Sequence, residues 1–215
     1  MNTPAVIPYE KQLDNDPDWA LMEGSLHFEE KSAVQTTLRN ICKRLQELEI
    51  PYVLAGGMAM YRHGYRRFTE DVDLLVTREG LRNIHDQLEG LGYVHVFKGS
   101  KKLRDTNTGV QIDFLITGDF PGDGKPSPVP FPDPIAAGID IDGIRVVALP
   151  RLVELKLASG LTGGAARLKD FSDVVALIET LKLPRDFDTN LNEYVRPKFL
   201  ELWDGLHASP LRGEY

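Results

Sequence analysis

The run Asp71-Val72-Asp73-Leu74-Leu75-Val76 sets two acids among four aliphatic residues. Alternation of this kind marks a strand, and side chains two positions apart on a strand leave from the same side. Asp71 and Asp73 therefore present their carboxylates together, while the aliphatic residues demand burial. The segment reads as a core strand with one functional edge. Two adjacent carboxylates repel each other, and burying them unpaired is costly. A divalent cation removes that cost, and hard oxygen ligands suit magnesium.

Two further features point at the same chemistry. Upstream, Tyr52-Val53-Leu54-Ala55 reads as a short buried strand, broken by Gly56-Gly57 before a helix over Met58 to His63. Glycines at such a turn let backbone N–H groups approach phosphates where the helix dipole also favours anions. Downstream, Asp113 is a lone acid inside Val110 to Ile116, a largely apolar, β-forming run. Aspartate is depleted in strands, so its presence there asks for a reason. A third acid on a neighbouring strand would complete a two-metal site. Taken singly, the paired acids read as a solvated turn, the glycines as a tight turn, and Asp113 as an arginine's partner. Their joint order, each on a strand or strand end, favours one shared site.

The remaining chain supplies the frame. Residues 1–27 carry proline, aspartate and few periodic apolars, and read as an irregular N-terminal arm. A helix is expected from about Phe28 to Glu49, with Val34, Leu38, Ile41, Cys42, Leu45 and Leu48 forming one apolar stripe that ends before Pro51. A second helix is expected over 78–91, with Leu81, Ile84, Leu88 and Leu91 inward and Gly92 as its cap. Strands follow at Tyr93 to Phe97, Lys102 to Asp105 and Val110 to Ile116, with a turn at Asn107-Thr108-Gly109. Residues 117–134 hold six prolines and three glycines and read as a long loop bordering the site. A hairpin turning at Asp142-Gly143 comes next. Three helices finish the chain, over Arg151 to Ser159, over Leu168 to Lys182 with Leu168, Phe171, Val175 and Ile178 inward, and near Leu191 to His207. The expected class is α+β, a mixed sheet packed by helices with a C-terminal helical segment.

Composition narrows the setting. The formal net charge of -7 argues against broad binding to nucleic acid, though Arg62/Arg66/Arg67 and Lys98/Lys101/Lys102/Arg104 form small basic clusters. Cys42 is the single cysteine, which excludes an intrachain disulfide and suggests a buried, reduced thiol. Neither a signal peptide nor a membrane span is legible, so a cytoplasmic location is expected.

With these residues in view, the chain resembles the DNA polymerase β-like nucleotidyltransferase superfamily. The match rests on Gly56-Gly57, on Arg67-x-Thr69-x-Asp71-Val72-Asp73-Leu74-Leu75, and on Asp113. The run Gly57-Met58-Ala59-Met60-Tyr61-Arg62-His63-Gly64 looks like the AbiEii-type branch of abortive-infection and toxin–antitoxin systems. Leu152 to Ala158 and Arg167-x-Lys169-Asp170-x-x-Asp173 are similar to later motifs of that branch. The resemblance implies a nucleotidyltransferase fold, with a catalytic core over 28–149 and a helical segment over 150–215 that completes the cleft. It implies a nucleoside triphosphate donor cradled by Gly56 and Gly57, with Thr69 beside it. It further implies two magnesium ions bridged by Asp71 and Asp73, with Asp113 on the ion that activates the attacking hydroxyl. Lys156 would neutralise phosphate charge and Asp170 would support the site. Arg67 would touch the triphosphate or serve as a structural ion pair; both readings stay open.

The acceptor is not legible. A tRNA end or a protein hydroxyl would fit a toxin with an antitoxin partner, and an aminoglycoside-type small molecule would suit an acidic protein. A catalytically inactive nucleotide- or partner-binding module is the remaining alternative.

Overall fold

In the computed structural model, which describes residues 6–208, the chain forms an α+β fold. Helices α1 (Tyr9–Asn15), α2 (Pro17–Phe28) and α3 (Ala33–Glu47) precede strand β1 (Tyr52–Leu54) and helix α4 (Gly56–Arg62). Then come β2 (Asp71–Val76), α5 (Arg78–Leu88), β3 (Tyr93–His95), β4 (Leu103–Asp105) and β5 (Gln111–Ile116). A short helix α6 (Pro134–Ala137) leads into the hairpin of β6 (Gly138–Ile141) and β7 (Ile144–Val147). Helices α7 (Leu149–Gly163), α8 (Leu168–Leu181) and α9 (Arg196–Ala208) follow.

The strands make one seven-stranded sheet in the order β3-β4-β5-β2-β1-β7-β6, so the acid-bearing β2 lies in the middle. It runs antiparallel to β1 and parallel to β5. Its register on β5 sets Asp73 opposite Asp113 and Asp71 opposite Gln111. Directly paired residues share a face, so this register alone brings the third acid to the first two.

Local rules account for most elements. Ser32 caps α3 by accepting from the Gln35 N–H, and Thr77 caps α5 by accepting from the Gly80 N–H. The α3 stripe of Val34, Leu38, Ile41 and Leu45 is fully buried. Each such side chain stabilises by roughly 1.5–3 kcal/mol relative to exposure. Asp142 and Gly143 both take left-handed φ values, 52° and 76°, as a two-residue hairpin turn requires. Cys42 is buried and unpaired, and burial pushes its thiol up to about 11.

Three expectations need correction. Residues 1–5 of the expected irregular arm lie outside the described residues, and the rest of it is a helical pair. Asp16 accepts from the Trp19 N–H and Pro17 occupies the first turn of α2, a start signal present in the sequence. What holds the pair is long-range: Tyr9 is fully buried and donates to Glu23, while Glu10 takes two bonds from Arg104 at 2.9 and 2.8 Å. Next, α5 stops at Leu88 and the chain turns at Gly90, φ 77°, two residues before the expected cap. Leu91 therefore falls outside the helix and is 67% exposed. Finally, α8 is rotated from its expected phase. Asp170, Asp173, Val174, Leu177 and Ile178 point inward, while Leu168 is 60% exposed. A hydrophobic period cannot find a face whose buried members include two carboxylates.

Candidate active site

The face of β2 and β5 that carries the acids opens into a cleft of about 280 Å³, closed on the far side by α7 and α8. One carboxylate oxygen from each of Asp71, Asp73 and Asp113 lies within 4.8 Å of the others. Each acid has a different environment. Asp71 accepts from the Thr69 hydroxyl at 3.0 Å. Asp113 accepts from Lys102 Nζ and from Gln111 Nε2, both at 2.7 Å. The Asp73 carboxylate has no hydrogen bond or ion pair among the described residues. Burial, then the Asp71 and Asp113 charges, push its carboxyl up to about 7, against a smaller opposing pull from Lys156 and Lys102. Three acids with one unpaired in the middle make a cation site in waiting, and all donors are oxygens of the kind magnesium takes.

Gly56 explains how Asp73 fits. Its φ is 58°, and a Cβ there would sit 1.7 Å from Asp73 Oδ2. Only glycine permits that backbone and that approach. At Gly57 a Cβ would crowd Thr69 Oγ1 at 2.8 Å and Arg67 Nη2 at 3.2 Å. The two glycines thus bring the start of α4 against the acids and their neighbours. Ala55 N–H, donating to the Asp73 carbonyl at 2.9 Å, fixes β1 to β2 at this point.

The opposite wall is an ion-pair network. Lys156 on α7 donates to Asp170 at 2.8 Å and Asp173 at 2.7 Å. Burial alone would lower its amine, but the two acids outweigh burial and hold it above the usual lysine range. Ser159 donates to Asp170 at 2.6 Å, and Arg67 meets Asp173 at 3.3 Å. Lys156, Asp170, Arg67 and Thr69 all line the cleft, as do the three acids and both glycines. Arg67 is therefore tied into an ion pair and also faces the cleft. The loop after β5 reaches the rim through Pro121 and Phe131, with Pro121 accepting from Thr162 on α7.

Sequence reasoning missed the partners of these residues. The Arg167-x-Lys169-Asp170-x-x-Asp173 motif gives Asp173 no role, yet it joins Lys156 to Arg67. In the sequence Lys102 reads as part of the basic cluster Lys98/Lys101/Lys102/Arg104. In the structure Lys102 is spent on Asp113, and Arg104 is 6% exposed and bound to Glu10. The signal for Lys102 was present. A turn centred near Thr108 pairs Arg104 with Gln111 and Leu103 with Ile112, and the same register continued puts Lys102 opposite Asp113.

A family of uncharacterised nucleotidyltransferases matches residues 23–202. The chain belongs to that family. Among solved structures, the chain is similar to the antibiotic-resistance factor ANT(2'')-Ia, with 17% identity over 80% of this chain and 94% of that one, TM-score 0.49. An antigenic nucleotidyltransferase-like protein from Paracoccidioides brasiliensis shares 18% identity over 82% and 93% of the two chains, TM-score 0.47. A candidate nucleotidyltransferase from Thermotoga maritima shares 18% over 64% and 91%, TM-score 0.45. No curated protein sequence matches the chain. The family match does not extend to the AbiEii branch suggested by residues 57–64. Among the described residues no helix is long and apolar enough to cross a membrane.

Proposed function

We propose that this nucleotidyltransferase moves a nucleoside monophosphate from a nucleoside triphosphate to an acceptor hydroxyl, with Asp71, Asp73 and Asp113 holding magnesium. One observation carries the reading: three carboxylates from two central strands converge within 4.8 Å, with Asp73 left unpaired at the cleft. Bound there, two magnesium ions would supply Lewis-acid stabilisation of the attacking and departing oxygens. The chain's own residues position and neutralise. Gly56 and Gly57 leave room for the phosphates beside Asp73. Thr69 orients the Asp71 carboxylate. Lys156, held by Asp170 and Asp173, lines the cleft with its ammonium in reach of a bound phosphate. Arg67 is held by Asp173 with its guanidinium facing the same space.

For the acceptor, we favour a small cationic molecule over a tRNA end. Half of the basic cluster that would track an RNA backbone is engaged by acids, since Lys102 binds Asp113 and Arg104 binds Glu10, while Lys98 and Lys101 stay exposed. The net charge of -7 attracts polycations. The toxin reading, with an antitoxin partner and a tRNA or protein acceptor, rests on the AbiEii-like motifs alone. Incubation with labelled nucleoside triphosphates, magnesium and three acceptor classes, namely aminoglycosides, tRNA and cell protein, tests both levels. Label appearing on an aminoglycoside supports the favoured acceptor, and label on tRNA or protein supports the toxin reading. No transfer to any class, or transfer unchanged in Asp73→Asn, would overturn the catalytic reading.

A further inference from the structure

A second cluster of ligand-type side chains lies away from the cleft, where α5 meets the edge strand β3. His85 and Glu89 are four residues apart at the end of α5, so they share a helix face. The chain then reverses through Gly90 and Gly92, both with positive φ, and Gly90 N–H donates to the Tyr93 carbonyl at 2.8 Å. That reversal lays His95, the last residue of β3, back over the helix. The His85 and His95 rings stack with centroids 4.5 Å apart. One ligand atom from each of His85, Glu89 and His95 lies within 4.8 Å of the other two.

The hydrogen bonds leave this group short of one positive charge. His95 Nδ1 faces the Ser100 carbonyl at 2.7 Å, so that nitrogen carries a hydrogen and donates it. His95 Nε2 then points at Glu89 Oε2, 3.1 Å away. A neutral ring would set a lone pair against a carboxylate there. Either a second ring proton or a cation must lie between them. His85 Nδ1 is buried and has no hydrogen-bond partner, while the ring itself is bonded to the Lys101 backbone. A proton on His95 satisfies Glu89 alone, whereas one metal ion would engage a ring nitrogen of each histidine together with the Glu89 carboxylate.

We propose that His85, Glu89 and His95 form a binding site for a zinc-type divalent cation. Two imidazoles and a carboxylate suit a borderline cation such as zinc rather than magnesium, which prefers oxygen ligands throughout. The Ser100 carbonyl supplies the outer contact that fixes a ligating imidazole. Glu89 is half exposed and free to swing onto the ion, and a water completes four-coordination. The ion ties the free edge of the sheet to α5. It also anchors the β3–β4 connection, which ends at Lys102, the residue that holds Asp113.

Cobalt(II) serves as the probe, because its visible absorption reports nitrogen and oxygen ligation, with zinc as competitor. The background is Asp73→Asn, which weakens the other acid cluster. One equivalent of cobalt should bind with a tetrahedral spectrum and be displaced by zinc, but not by a large excess of magnesium. His95→Gln and the exposed Glu89→Gln should each weaken binding by about 100-fold, with unchanged far-ultraviolet circular dichroism. Binding that persists undiminished in Glu89→Gln would overturn the site. So would the absence of cobalt binding in the parent protein, which would leave a protonated His95–Glu89 ion pair only.

Discussion

Asp73→Asn tests the electrostatic account of the cleft without needing a known acceptor. The carboxyl is held near pH 7 by burial and by Asp71 and Asp113, against 3.8 for a free aspartate. Above pH 7 the ionised group therefore carries a penalty in the folded state that the unfolded chain does not share. Its ceiling is about 4 kcal/mol. Water in the open cleft screens it to roughly 1–3 kcal/mol. The folded value lies above the unfolded one, so the folded state binds the extra proton and stability falls as pH rises from about 4 to 7. Asparagine keeps the shape and removes the charge. In EDTA at pH 8 the variant should melt about 2–12 °C above the parent, at about 2–4 °C per kcal/mol for a chain of this size. That advantage should shrink as pH falls and vanish near pH 4. Magnesium with a non-hydrolysable triphosphate should then raise the parent's melting temperature but hardly that of the variant. Scanning calorimetry from pH 4 to 8 gives the whole comparison. A variant that melts below the parent in EDTA at pH 8, or an advantage independent of pH, would refute the reasoning.

Three other outcomes follow from the same contacts. Lys156→Ala strands Asp170 and Asp173 without their shared cation, so stability should fall by about 3–5 kcal/mol, read as a drop in melting temperature; an unshifted transition would mean that the network carries little energy. Lys102→Met frees Asp113, so magnesium affinity measured by calorimetry without nucleotide should rise several-fold, about 1 kcal/mol for a part-exposed pair; weaker binding would show that Lys102 orders the acid rather than competing for it. Gly56→Ala places a methyl on Asp73 Oδ2 at a positive φ and should cut nucleotidyl transfer at least about 10-fold, with little change in the circular dichroism.

The residues that could do chemistry were legible from local pattern. Period-two alternation put Asp71 and Asp73 on one side of a strand, and aspartate's poor fit to a β-run singled out Asp113. The Asp-Gly turn at 142–143 and the α3 stripe were equally readable, because their causes lie within a few residues of chain. The helical arm had a readable start at Asp16-Pro17, but its stability comes from Tyr9 packing and from Glu10 meeting Arg104, 94 positions away. Tertiary structure alone decided that β5 lies parallel beside β2, which turns three acids into one cluster. It also decided that Lys156 and Arg67 balance Asp170 and Asp173, whereas the Lys102–Asp113 pair follows from the hairpin register. Charged side chains carry no periodic signature of their partners. Coulomb attraction and desolvation depend on distance through space, and only the packed sheet and helices set those distances.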